Sequence, residues 1–239
     1  MLYSFSPSAS YLSSLALMTP YLQKLMNYPV LTAGIVMGPR GLGTMLCMFL
    51  AGRSIGRVDT RWLLLMGLLL SALSMELMTG WTPDVSMKAI IYTGFMHGAS
   101  LGFLFEPLSA MAFTTLPAAL RGDGTGLYNL SRNIGSSVGI SICTVLLAQN
   151  IQINHADIVG YVTIFNHAFR AVAVQSELNP LMAGGRAALD ALIIEQASWI
   201  AYMNDFRLLM ILSLGATPLI LLLRKPAIRT ETKVISEKA

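Results

Sequence analysis

The chain has 239 residues, of which 54% are hydrophobic and 12% charged, with a mean hydropathy of +0.63. An ordinary soluble domain carries about 25% charged residues, so this chain has too little polarity to cover a water-facing surface, and its outer solvent is read as lipid. The net charge of +4 points to no nucleic-acid partner, because basic residues in a membrane protein sort by side and do not gather into a patch.

Six apolar runs follow along the chain, and the fold class they imply is all-α: a polytopic membrane bundle of about six transmembrane helices. The runs cover about residues 3–23, 30–52, 62–80, 88–116, 125–149 and 199–223. Twenty helical residues rise about 30 Å, which matches the hydrocarbon thickness, and an open sheet would leave unpaired backbone in lipid. The first run is the weakest, being serine-rich and carrying Pro7 and Pro20. Its start lacks a basic stretch and a small-residue cleavage site, so it reads as a span and not as a signal peptide. It begins abruptly, which raises the expectation of a truncated or internally started chain. The expected organisation is helices over 1–149, a polar extracytoplasmic loop over 150–198, a final helix over 199–223 and a basic cytoplasmic tail over 224–239.

Orientation follows from the basic residues. With Met1 inside, the inner connections hold Arg53, Arg57, Arg61, Arg121, Arg224, Lys225, Arg229, Lys233 and Lys238. The outer ones hold Lys24, Lys88, Arg170 and Arg186, two of them in the long loop, where charge counts little. Trp62, Trp81 and Trp199 fall at span ends, where an indole prefers the membrane interface.

The turn Gly52-Arg53-Ser54-Ile55-Gly56-Arg57-Val58-Asp59-Thr60-Arg61 is the most informative segment. Asp59 can pair with a neighbouring arginine, and such a clasp can hold one face of a transporter shut; a plain positive-inside anchor is the other reading. Arg40 lies inside the second run beside Pro39, among Gly34, Gly38, Gly41 and Gly43. A charge there costs at least about 2.5 kcal/mol unless it faces a cavity or partner, so it either snorkels or serves packing and gating. Gly34 and Gly38, four apart, suit close helix packing.

The fourth run carries His97 and Glu106 on roughly one helical face. Glu106 reads equally as a proton- or cation-contacting group and as the partner of an arginine such as Arg132. His97 reads first as a hydrogen-bonded packing residue and second as a proton relay. Asn129, Arg132 and Asn133 in the fifth run call for polar partners in the bundle interior. The glycines of 122–126 have no preceding strand and no Walker lysine, which excludes a nucleotide loop. Cys47 and Cys143 lie in apolar runs, and no catalytic, metal or cofactor set is visible, so an enzyme is not expected.

These residues resemble a known family. Leu17-Met18-Thr19-Pro20-Tyr21-Leu22-Gln23, Tyr28-Pro29, Pro39-Arg40-Gly41-Leu42-Gly43 and the Gly52–Trp62 turn look like the second half of the EmrB/QacA-type drug:proton antiporters, fourteen-helix members of the major facilitator superfamily. Pro107-Leu108-Ser109, Gly122–Asn129, Arg132-Asn133-Ile134-Gly135 and Gly139-Ile140 continue the match in order and spacing. The resemblance implies the last six helices of a multidrug efflux permease of the cell inner membrane, with the proton as coupling ion and no cofactor. It implies amphipathic organic compounds as substrates, and a periplasmic adaptor and outer-membrane channel as partners. The family's first eight helices are missing, so the alternative is a non-transporting module that needs a complementary half. Glu106 stands where the family pattern has an apolar residue, so it inherits no role.

Overall fold

The computed structural model describes residues 2–114, 117, 120–162, 178–179 and 182–221. The described residues form a bundle of six α-helices: α1 (Leu2–Pro20), α2 (Val30–Ser54), α3 (Thr60–Thr79), α4 (Met87–Thr114), α5 (Arg121–Tyr161) and α6 (Ala183–Leu221). Among the described residues there is no strand, only an isolated bridge between Ile55 and Val58 in the α2–α3 turn. The expected basic tail over 224–239, together with His167, Arg170 and Glu177, lies outside the described residues.

Three helices, α2, α3 and α5, are by length and composition alone long and apolar enough to cross a membrane. The other three carry polar groups that the bundle turns inward: Ser13 and Ser14 on α1, His97 and Ser100 on α4, Asp205 and Ser213 on α6, all buried. Large apolar side chains meanwhile face outward, among them Leu31, Ile35, Phe49, Leu69 and Ile142. Buried polar groups beneath an apolar exterior are the arrangement lipid selects.

Each turn has a local cause. α1 ends in a π-helical turn, Tyr21–Leu25, closed by the Met26 amide donating to the Tyr21 carbonyl at 3.1 Å. Asn27 then takes a left-handed φ of 52° and Pro29 precedes the first turn of α2. Between α2 and α3, Gly56 sits at φ 88°, a conformation that glycine adopts without Cβ strain. Asp59 caps α3 by accepting from the Arg61 backbone amide at 3.4 Å.

The tightest packing joins α2 to α4. A Cβ on Gly98 would collide with the Arg40 carbonyl oxygen, and one on Gly43 with the Phe95 carbonyl oxygen. One on Gly102 would lie 2.7 Å from the Thr44 carbonyl oxygen. Thr44 Oγ1 reaches across the seam to the Gly98 carbonyl at 3.0 Å. Gly67 of α3 admits Leu104 in the same way, a Cβ there lying 2.7 Å from Leu104 Cγ. The glycines expected to form the seam, Gly34 and Gly38, have nothing within 4 Å of a built Cβ. Position on the helix decides this: Gly43 is on the face of α2 turned to α4, where Gly98 and Gly102, one turn apart, make the matching stripe.

One further expectation changes. Residues 150–161 and 183–198 are not loop: they prolong α5 and α6, to 41 and 39 residues. Forty helical residues rise about 60 Å, twice a hydrocarbon core, so these ends project beyond the apolar zone. There His155 Nε2 meets Asp190 Oδ1 at 2.8 Å, and Asn154 reaches the Ala197 carbonyl at 3.4 Å. Polarity suggested a loop, but no proline interrupts either stretch and the two helices pair. The tryptophans also divide. Trp62 is 67% exposed, whereas Trp81 and Trp199 are buried at 7% and 5%. Both pack on Tyr21, with ring centroids at 5.3 Å, and Tyr202 and Phe206 of α6 complete the cluster. The rings meet tilted or edge-on, favoured geometries for aromatic pairs, and the cluster ties the ends of α1 and α3 to α6.

Gly98→Ala and Gly102→Ala are expected to destabilise the bundle by overpacking, by about 1–3 kcal/mol each. Gly94→Ala, with nothing within 4 Å, is expected to be neutral or to gain up to about 1 kcal/mol of helix propensity. Thermal unfolding of the purified variants in detergent measures the difference, and equal effects at positions 94 and 98 would contradict the seam.

Candidate functional site

The order of residues along each helix stacks the interior in three layers. Leu17, Tyr21, Val36, Met75, Met78 and Ile90 belong to one apolar cluster, and Leu64, Leu68, Leu104 and Leu108 to a second. Between them in sequence on α3 and α4 lie Ser74 and His97, and the α1 and α2 residues that meet them are Ser14 and Arg40. These four form a polar centre enclosed by apolar packing.

His97 is 1% exposed and uses both ring nitrogens: Nε2 lies 3.1 Å from Ser14 Oγ and Nδ1 lies 3.0 Å from Ser74 Oγ. Ser14 Oγ also accepts from Arg40 Nη2 at 2.7 Å and can donate to the Tyr11 carbonyl at 2.7 Å. Ser74 Oγ can donate to the Ser71 carbonyl at 2.8 Å. A neutral ring fits in either tautomer: one serine gives its hydroxyl proton to the imidazole while the other receives the ring N–H. An imidazolium would need both hydroxyl protons turned away to carbonyls, and would set a second cation beside Arg40. The hydroxyl rotors of Ser14 and Ser74 are thus coupled to the state of His97, which is the property a proton relay requires.

Arg40, 3% exposed, is held by the glycine seam, since its own carbonyl rests against Gly98. Its Cζ lies 4.5 Å from the Tyr11 ring centroid, a desolvated cation–π contact. The Tyr11 ring also stacks on His97, with centroids at 5.6 Å and planes 5° apart. Nε and Nη1 of Arg40 have no hydrogen-bond partner among the described residues. Of the two readings of Arg40, the buried one is therefore the correct one; it does not snorkel.

Arg132 approaches the same centre from α5. Its Cζ lies 5.3 Å over the Phe105 ring, which meets Tyr11 edge-on at 6.3 Å. Glu106 turns elsewhere, so the expected Glu106–Arg132 ion pair is not formed. Adjacent helical residues point about 100° apart, and Phe105 takes the Arg132 side while Glu106 takes the α2 side. There Glu106 joins Arg53 and Gly52, with Met45, Met48 and Phe49, around an open groove of ≈ 440 Å³. Asn129 and Asn133 are exposed on α5 and do not enter the interior. Of the turn residues, Arg57 is exposed and Asp59 serves as the α3 cap.

Residues 1–156 match the family model of the Major Facilitator Superfamily, well over half of the chain. The chain belongs to this superfamily. A "Probable multidrug resistance protein EmrY" of Escherichia coli (strain K12) is 26% identical over 162 residues, covering 67% of this chain and 32% of that protein. A "Multidrug resistance protein B homolog" of Mycobacterium tuberculosis is 29% identical over 177 residues, 73% of this chain and 30% of that protein. The "Fatty acid resistance protein FarB" of Neisseria gonorrhoeae is 22% identical over 217 residues, 90% of this chain and 43% of that protein. The chain spans about a third of the length of the first two relatives. The similarity is to EmrB-type transporters and not to enzymes, in line with the sequence.

Within this major facilitator chain, several residues of the centre were not singled out by sequence. Ser14 and Tyr11 lie in the serine-rich first span, which looked weak because its hydroxyls lowered its hydropathy. That same polarity was the available signal. Asp205, 1% exposed within α6, was likewise missed, although it is the one carboxylate of a largely apolar run over 199–223.

Ser14 serves two buried side chains, His97 and Arg40, whereas Ser74 serves one, His97. Ser14→Ala is therefore expected to cost more stability than Ser74→Ala, which leaves one ring nitrogen unpaired at about 1–3 kcal/mol. Thermal unfolding of the two variants is the test, and a larger effect from Ser74→Ala would overturn this ordering.

Proposed function

We propose that this chain is the C-terminal half of a proton-driven efflux permease that expels amphipathic organic compounds across the cell inner membrane. The observation that carries the reading is the buried Tyr11–Arg40–His97 centre: a relay-competent imidazole and a cation with two free donors, enclosed by apolar layers. A purely structural bundle gains nothing from an arginine whose Nε and Nη1 are unpartnered, since each such group costs free energy. The similarity to EmrY and the other resistance proteins supports the substrate class, and the proton as coupling ion fits the serine–histidine chain.

The proposed topology sets Met1 and the Gly52–Arg61 turn on the cytoplasmic side, from the distribution of basic residues. Arg53, Gly56, Arg57, Asp59 and Arg61 then form a gating turn at the inner mouth. The projecting ends of α5 and α6 lie on the outer side, where a periplasmic adaptor and outer-membrane channel would meet them.

One observation favours the reading in which a complementary half is required. The outward face of α5 shows Leu127, Leu130, Ile134 and Val138, interleaved with exposed Asn129 and Asn133. Two amides one turn apart are poorly placed against lipid and well placed against another helix, where they can hydrogen-bond.

Co-expression with the N-terminal segment of an EmrB-type protein in a pump-deficient host is expected to lower dye accumulation, and this chain alone is expected to leave it unchanged. Arg40→Lys in the pair should reduce efflux at least about tenfold, because an ammonium replaces neither the stacked guanidinium nor its fork of donors. Lowered accumulation with this chain alone would overturn the half-transporter reading, and no effect from the pair would overturn efflux.

A further inference from the structure

The geometry points to Asp205 as a second proton-binding site, on the opposite side of α1 from His97. Asp205 stands in the apolar stretch of α6, is 1% exposed, and follows directly on the aromatic cluster through its neighbour Phe206. Asn150 Nδ2 of α5 donates to its Oδ1 at the long distance of 3.5 Å. Oδ2 is buried and has no hydrogen-bond partner among the described residues.

Among the described residues, the groups around it are neutral. From α5 come Asn150 and the Cys143 thiol, and Cys143 also faces the buried Ser13 hydroxyl of α1. Tyr21 packs from the end of α1 on Tyr202 of α6, and Tyr202 neighbours Asp205 within α6. From α3 no charged group arrives, because Glu76 is exposed. Arg207, two residues on, is exposed on the other face of α6.

A full negative charge with one lone amide donor and no cation is not a stable occupant of such a site. A proton on Oδ2 removes the charge and supplies a donor. A metal cation is disfavoured because the site offers a single carboxylate and one amide, too few oxygens for a hard ion. The chemistry therefore selects a proton. Ser13 and Ser14 are consecutive on α1, one toward Cys143 and the other bonded to His97 and Arg40. A small rotation of α1 would thus alter both sites at once. Coupling of the Asp205 proton to transport rests on the proton-driven reading above; its occupancy does not.

Infrared difference spectroscopy of the purified chain in nanodiscs tests occupancy without any transport assay. The wild type at mildly acidic pH should show a protonated-carboxyl C=O band that shifts in D2O and disappears in Asp205→Asn. Glu106→Gln should retain it. The band should also diminish as the pH is raised. A spectrum in which Asp205→Asn removes no such band would overturn the site, as would a band that never titrates, which would make Asp205 a locked structural acid. Proton release on substrate addition, measured in the co-expressed pair, then separates the two claims. Normal release from a pair carrying Asp205→Asn would remove this residue from coupling and leave the efflux reading standing.

Discussion

The structure depends on the contact of two backbones. Gly98 and Gly102 of α4 have no side chain to hold α2 away, so the Arg40 carbonyl and the Met48 amide approach within van der Waals reach. That approach fixes where Arg40 sits along α2. A guanidinium elsewhere on the helix could reach an interface; held here, it ends over Tyr11 and against Ser14. His97 is one residue before Gly98, so the same glycine that admits α2 sets the imidazole against α1 and α3. The polar centre is thus a consequence of the seam, and everything proposed for Arg40 and His97 inherits its precision from it.

Such a centre is expensive, and the apolar layers on either side bear the cost. The ring cluster of Tyr21, Trp81, Trp199, Tyr202 and Phe206 closes one end, and the leucines of α3 and α4 with Ala216 close the other. Close aromatic and aliphatic packing keeps water from the polar layer, which strengthens each hydrogen bond within it and penalises each unpaired atom. Rigid closure at two ends around an adjustable middle suits a device that changes protonation without losing its fold. The long α5 and α6 extend the closed end outward, joined by His155 and Asp190.

The helices were legible because hydropathy over twenty residues is a property of the segment alone. Arg40 and His97 were legible as candidates for the same reason, since a polar group inside an apolar run stands out. Their partners were not. Nothing in the order of residues says that Ser14 meets His97, 83 positions away, or that Phe105 and not Glu106 faces Arg132. Those facts depend on helix rotation, and one position changes the facing direction by about 100°. The same uncertainty moved the seam from Gly34 and Gly38 to Gly43, and hid that Trp81 and Trp199 turn inward onto Tyr21. Residues 150–161 and 183–198 differ in kind: they are polar yet helical, because helices can carry polar residues once they leave the hydrocarbon.

The claim on which the account turns is that His97 is held at both ring nitrogens between Ser14 and Ser74. Nitrogen NMR of the imidazole reads this directly, in a bilayer-embedded chain whose other two histidines, His155 and His167, are replaced by glutamine. The account predicts two distinct ring-nitrogen resonances, one protonated and one accepting a hydrogen bond, with the protonated signal moved by Ser14→Ala or Ser74→Ala. A single averaged resonance, as for an imidazole exchanging tautomers freely in water, would contradict it.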